Sequence, residues 1–81
     1  MENKKFVCLC CGYYTLESED PLSYDICPVC FWEQDPIQQN DPYFTGGVNT
    51  VSLNQAKKNY LLFGACQKKY ITYVRLPSES E

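Results

Sequence analysis

The chain has no histidine, and nowhere does it approach the run of about 18 apolar residues that a membrane-spanning helix needs. The first absence removes the side chain that most often moves protons near neutral pH, so acid–base chemistry would fall to a carboxylate, thiol or lysine of shifted pKa. No serine or cysteine has a visible base partner either, and the chain reads as a non-enzyme. At the N-terminus, no apolar stretch follows basic residues in the manner of a secretory signal. The expectation is a soluble, cytoplasmic protein. Positive charge is scarce as well: seven basic side chains stand against ten acidic ones, for a net charge of −3. Long-range attraction to nucleic acid needs the opposite sign, whereas a basic protein partner suits this one.

What the chain does have is six cysteines in 81 residues. Four of them fall as Cys8-x2-Cys11 and Cys27-x2-Cys30, the spacing of a four-thiolate zinc site. A two-residue spacer lets one tight turn aim both sulfurs at a single point, and the intervening segment has room to bring the second turn to the same point. Gly12 follows the first turn with an unhindered backbone, and Pro28 presets φ in the second. Because Phe31 stands where the first turn has glycine, the two knuckles are expected to be non-equivalent. A closed set of four thiolates is structural, with no position left for water or substrate. Its formal charge of −2 around a divalent ion is one that Lys4 or Lys5 could offset. Iron in a rubredoxin-type site uses the same ligands, so the ion is zinc or iron. Cys10, on the first turn, is an alternative ligand, although neighbouring cysteines diverge in an extended turn. Either x2 pair also has the spacing of a redox dithiol, but the expected βαβ setting is missing. Cys66 reads as a small buried hydrophobe at a cramped junction.

A core of this size supplies only about 3–5 kcal/mol, while structural zinc in finger peptides contributes roughly 10–16 kcal/mol. The metal can therefore outweigh the core. The expected fold is α+β: a small zinc-ribbon-like domain with two cysteine knuckles, short strands and one or two C-terminal helices. Lys5-Phe6-Val7 and Tyr13-Tyr14-Thr15 read as strands around the first knuckle, and Leu16 to Ser23 as a solvated loop. Tyr24-Asp25-Ile26 approaches the second knuckle in extended form. Asp35-Pro36, Asp41-Pro42 and Gly46-Gly47 make residues 34–50 a long irregular connector, a kind of segment that often carries function. Ser52 and Gln55 form a capping box for a helix that presents Leu53, Ala56, Tyr60 and Phe63 on one face and stops at Gly64. Residues 65–74 fit a short helix or a strand, and helix is preferred. Residues 1–76 form one domain, followed by an acidic tail, 77–81, expected to fray.

Beyond the cysteines the residues divide between core and surface. Trp32 is expected to close the core over the zinc turns. Glu33, Asp35, Asp41, Tyr43 and Phe44 are the candidate partner-binding residues, an acidic and aromatic stretch suited to a basic protein. The Lys57-Lys58 and Lys68-Lys69 pairs, with the tyrosines, carry the rival reading of a zinc-ribbon nucleic-acid binder, against the sign of the net charge.

Cys8-Leu9-Cys10-Cys11-Gly12-Tyr13 and Asp25-Ile26-Cys27-Pro28-Val29-Cys30-Phe31-Trp32-Glu33 are joined by Gly46-Gly47-Val48-Asn49 and Ser52-Leu53. Ala56, Asn59-Tyr60, Phe63-Gly64-Ala65-Cys66 and Val74-Arg75 complete the pattern. In this combination the chain resembles the bacterial cysteine-rich CPCC family. Leu9 departs from it, standing where the name-giving proline belongs, at the expense of turn rigidity but of no ligand. The resemblance implies a small zinc-knuckle domain with no attached activity. By analogy with domains found in toxin–immunity neighbourhoods, it also implies an immunity-type inhibitor of a toxin.

Overall fold

The computed structural model describes residues 5–81, so Lys4 lies outside the described residues. Two short strands, β1 (Phe6–Val7) and β2 (Tyr14–Leu16), pair antiparallel across the first cysteine turn, with Phe6 opposite Leu16 and Val7 opposite Tyr14. The register slips between Phe6 and Val7, so consecutive residues Thr15 and Leu16 are both buried where strict alternation would bury one. This draws Leu16, expected in a solvated loop, into the core. A 3-10 turn at Pro21–Ser23 then leads to Ile26, which bridges to Glu33 across the second cysteine turn.

The segment 34–50 is less irregular than its composition suggests. Asp35 caps a short helix, α1 (Pro36–Asn40), accepting hydrogen bonds from the backbone N–H groups of Ile37 and Gln38, with Pro36 at the first helical position. Asp-Pro is a start signal for a helix as well as a loop signal, because proline has no N–H to leave unpaired there. The rest of the segment folds back over α1 and is held from inside. Gln38, fully buried, donates from Nε2 to the carbonyls of Phe44, Asn49 and Val51, and accepts at Oε1 from the backbone and side-chain N–H groups of Asn49. Asn49 in turn pairs both ways with the Glu33 backbone, three residues after Cys30.

The longer helix, α2 (Leu53–Phe63), has the expected punctuation: Ser52 Oγ accepts from the Gln55 N–H, and Gly64 takes the left-handed conformation at φ 79°. Only half of the capping box forms, since the Gln55 side chain donates to Asn59 instead. After α2 the chain forms a 3-10 helix at Lys68–Tyr73. Leu53 and Ala56 of α2 join Leu16, Val29, Trp32 and the cysteines in one core cluster. The sulfurs are thus part of the core.

The tail is tethered, contrary to the expected fraying. Arg75 grips the Glu81 carboxylate with two nitrogens at 2.8 and 2.7 Å, and the Tyr14 N–H donates to the Glu81 carbonyl oxygen at 2.9 Å. The ion pair holds the Glu81 carboxyl down at about pKa 2. Among the described residues no helix is long and apolar enough to cross a membrane.

Candidate metal centre

The two knuckles share one backbone design. In the first, the Gly12 N–H donates to the Cys8 carbonyl at 2.8 Å and the Cys8 N–H to the Tyr13 carbonyl at 2.8 Å. In the second, Phe31 N–H to Cys27 carbonyl at 2.8 Å and Cys27 N–H to Trp32 carbonyl at 3.0 Å repeat the pattern. Gly12 and Phe31 occupy the same left-handed region, at φ 81° and 72°. The expected non-equivalence is therefore corrected: Phe31 bears the strain that glycine avoids, roughly 1–2 kcal/mol. Its ring stacks on Tyr70 and Tyr73, with centroids 4.5 and 5.7 Å away, which offsets that strain.

These two turns bring Cys8, Cys11, Cys27 and Cys30 together with every sulfur within 4.8 Å of the others. Cys8 and Cys30 Sγ lie 3.5 Å apart, and Cys11 and Cys27 Sγ 3.7 Å apart. Tetrahedral coordination at about 2.3 Å per Zn–S bond sets sulfurs about 3.8 Å apart, whereas a disulfide needs about 2.05 Å. All six cysteines are free thiols. Cys8, Cys27 and Cys30 are fully buried, while Cys11 is partly exposed at the outer corner.

Packed this closely, four thiols cannot all ionise without a cation. Contacts with Cys11 and Cys27 push the Cys8 thiol well above its ordinary value, and contact with Cys10, then Cys11, does the same to Cys30. Cys27 is held far below, chiefly by the hydrogen bond from Cys11 and those from Cys30 and Cys8. A divalent ion at their centre relieves this conflict by stabilising every thiolate at once. Donor type, spacing and seclusion all fit a metal ion, and the four cysteines are placed to hold one.

The family model described as cysteine-rich CPCC matches residues 6–81. The chain belongs to that family. No curated protein matches it. In this CPCC chain the first knuckle keeps its backbone hydrogen bonds with Leu9 in place of proline, and Leu9 points partly to solvent.

The remaining candidates separate cleanly. Cys10 is buried in the core cluster beside Cys30 and stands outside the four-sulfur group. Cys66 is fully buried, its N–H donates to the Cys30 carbonyl at 2.7 Å, and burial pushes its thiol up to about 12. Trp32 is buried among the cysteines. Lys5 is no counter-charge for the cluster, because it forms an ion pair with Glu17.

Of the candidate partner-binding residues, Asp35 requires correction. It is 3% exposed and fully engaged, one oxygen capping α1 and the other accepting from the Val48 N–H at 2.8 Å. Glu33 is half-buried, while Asp41, Tyr43 and Phe44 are exposed, Tyr43 at 78%. Sequence reasoning missed Gln38, which looks like an ordinary loop residue, and gave Asn49 no structural role beyond its place in the family pattern. The available signal was Gly47: a Cβ there would lie 2.4 Å from Asp35 Oδ2 and 2.5 Å from Gln38 Cδ, so glycine is required by close packing against a polar core.

Proposed function

We propose that this CPCC protein is a non-enzymatic, metal-stabilised interaction module of the bacterial cytoplasm, holding zinc, or iron, through Cys8, Cys11, Cys27 and Cys30 and acting through a protein partner. The observation that carries the reading is the convergence of four sulfurs from two matching turns inside the core. A closed four-thiolate set leaves the ion no free position, so its role is to hold shape. The non-enzymatic reading rests on the residue inventory, in which no histidine and no nucleophile–base pair is available. Among the described residues, an open hollow of about 310 Å³ beside β1 and β2 offers two charged side chains, Glu19 and the Lys5 already paired with Glu17.

The sharper form of the proposal is an immunity-type inhibitor that covers the basic site of a toxin. Asp41, Tyr43 and Phe44 support it, as an exposed acidic and aromatic stretch anchored at the Phe44 carbonyl by Gln38. Elemental analysis of purified protein tests the metal, with one zinc or iron per chain expected. Co-purification from the native host tests the partner, and recovery of none at physiological salt counts against the interaction module.

One observation favours the nucleic-acid reading as a second possibility. Residues 6–56 contain seven acidic side chains and no basic one, whereas residues 57–75 contain five basic and no acidic ones. The net charge therefore conceals a local positive segment, with Lys57, Lys58, Lys68 and Lys69 all exposed. A salt-sensitive gel shift at micromolar protein would support it, and no shift would remove it.

A further inference from the structure

Thr15 is 4% exposed, and its hydroxyl lies 2.9 Å from Cys27 Sγ. This is its one side-chain hydrogen bond among the described residues. A metal-bound thiolate has no proton to give, so in the loaded protein the hydroxyl must be the donor. The Val29 N–H reaches the same sulfur at 3.4 Å. No other hydroxyl hydrogen-bonds a sulfur of the four-cysteine group among the described residues. Thr15 comes from β2, outside both knuckles, and the slipped register between the strands is what buries it toward the second knuckle.

We infer that Thr15 is a positioning residue for the metal centre, its hydroxyl fixing the orientation and stabilising the negative charge of the Cys27 thiolate. The inference rests on the proposed ligand set and adds to it a residue that supplies no ligand. Four thiolates around a divalent ion carry a formal charge of −2 in a buried setting, with no lysine paired to them among the described residues. An O–H donor withdraws electron density from one sulfur and so stabilises the excess charge where water cannot. Hydrogen-bonding partners of ligands are generally worth 10–100-fold in metal affinity. Thr15 also connects the β1–β2 hairpin to the second knuckle, so it coordinates two parts of the site that the ion must otherwise hold alone.

The test uses the full chain loaded with cobalt(II), then zinc in competition with a chelator. Thr15→Val keeps the shape and removes the hydroxyl, and Thr15→Ser keeps the hydroxyl and removes a methyl group. Thr15→Val should lose about tenfold or more in zinc affinity and shift the sulfur-to-cobalt charge-transfer band to lower energy, as expected of a more electron-rich sulfur. Thr15→Ser should retain the native band and lie within about threefold of native affinity. If Thr15→Val does not fold, Thr15→Ala read against Thr15→Ser makes the same comparison. Equal affinity and an unshifted band in the valine or alanine variant overturn the inference, as does a serine variant that behaves like valine. Failure of the native chain to give a four-thiolate cobalt spectrum refutes the ligand set itself, a separate outcome.

Discussion

Replacing Gln38 with alanine should be among the most damaging substitutions outside the cysteines. The side chain is fully buried and makes five hydrogen bonds, three through Nε2 and two through Oε1. Water can reach the carbonyls of Phe44 and Val51 once the amide is gone, since both residues are at least partly exposed. Asn49 is buried, so its backbone N–H and carbonyl are left without partners, at about 1–3 kcal/mol each. With the void added, the loss is about 3–6 kcal/mol, against a total stability of roughly 4–12 kcal/mol for a domain of this size. The assay is denaturant unfolding of the metal-loaded protein at fixed metal concentration, read by tryptophan fluorescence through buried Trp32. Because Asn49 grips the Glu33 backbone close to Cys30, the variant should also release metal to a chelator faster. Gln38→Leu fills the void but leaves the same two groups unpaired, so it should remain at least 2 kcal/mol less stable than native. A loss under about 1 kcal/mol in both variants would refute the idea that a polar core organises this segment.

Phe31→Ala should be less stable than Phe31→Gly by about 1 kcal/mol, the reverse of the usual order, because both lose the tyrosine stack and only alanine keeps the strain at φ 72°; parallel melting curves decide this. Gly47→Ala should cost about 1–3 kcal/mol through collision with Asp35 and Gln38, and equal stability to native in denaturant titration would count against the packed interior. Cys66 should resist alkylation at pH 8 in the folded, metal-loaded protein and react on unfolding, since burial holds its thiol protonated up to about 12; mass spectrometry with iodoacetamide reads this directly. The Glu81 carboxyl is depressed to about 2 from an ordinary 4.5, so the stability it contributes is present above pH 4.5 and is lost as pH falls toward 2. Arg75→Gln should weaken that acid dependence, leaving the part due to the Ser78 N–H, with NMR titration of Glu81 as the measurement.

The parts of the fold that were legible in the sequence are those set by local geometry. Cys-x2-Cys turns, a serine cap before Leu53 and a glycine stop at Gly64 each act over a few residues, and each is where the sequence puts it. The family match over residues 6–81 spans all of them. Misreadings arose where a residue's meaning depends on chain far away. Asp35 looked like a surface carboxylate because its acceptor role toward Val48 depends on a fold-back of thirteen residues. Phe31 looked like a break in the symmetry because tyrosines about forty residues on, which offset its strain, are not visible locally.

The amino-acid order alone determined the two sulfur-bearing turns, the main helix and the α+β character of the chain, since spacing and capping are short-range properties of the backbone. Only the tertiary structure decided that the four sulfurs expected to converge lie within the core itself, that a glutamine rather than a leucine fills the interior of the connector, and that Thr15 addresses Cys27. Those outcomes depend on how distant segments satisfy one another's buried polar groups, a condition that no stretch of sequence states by itself.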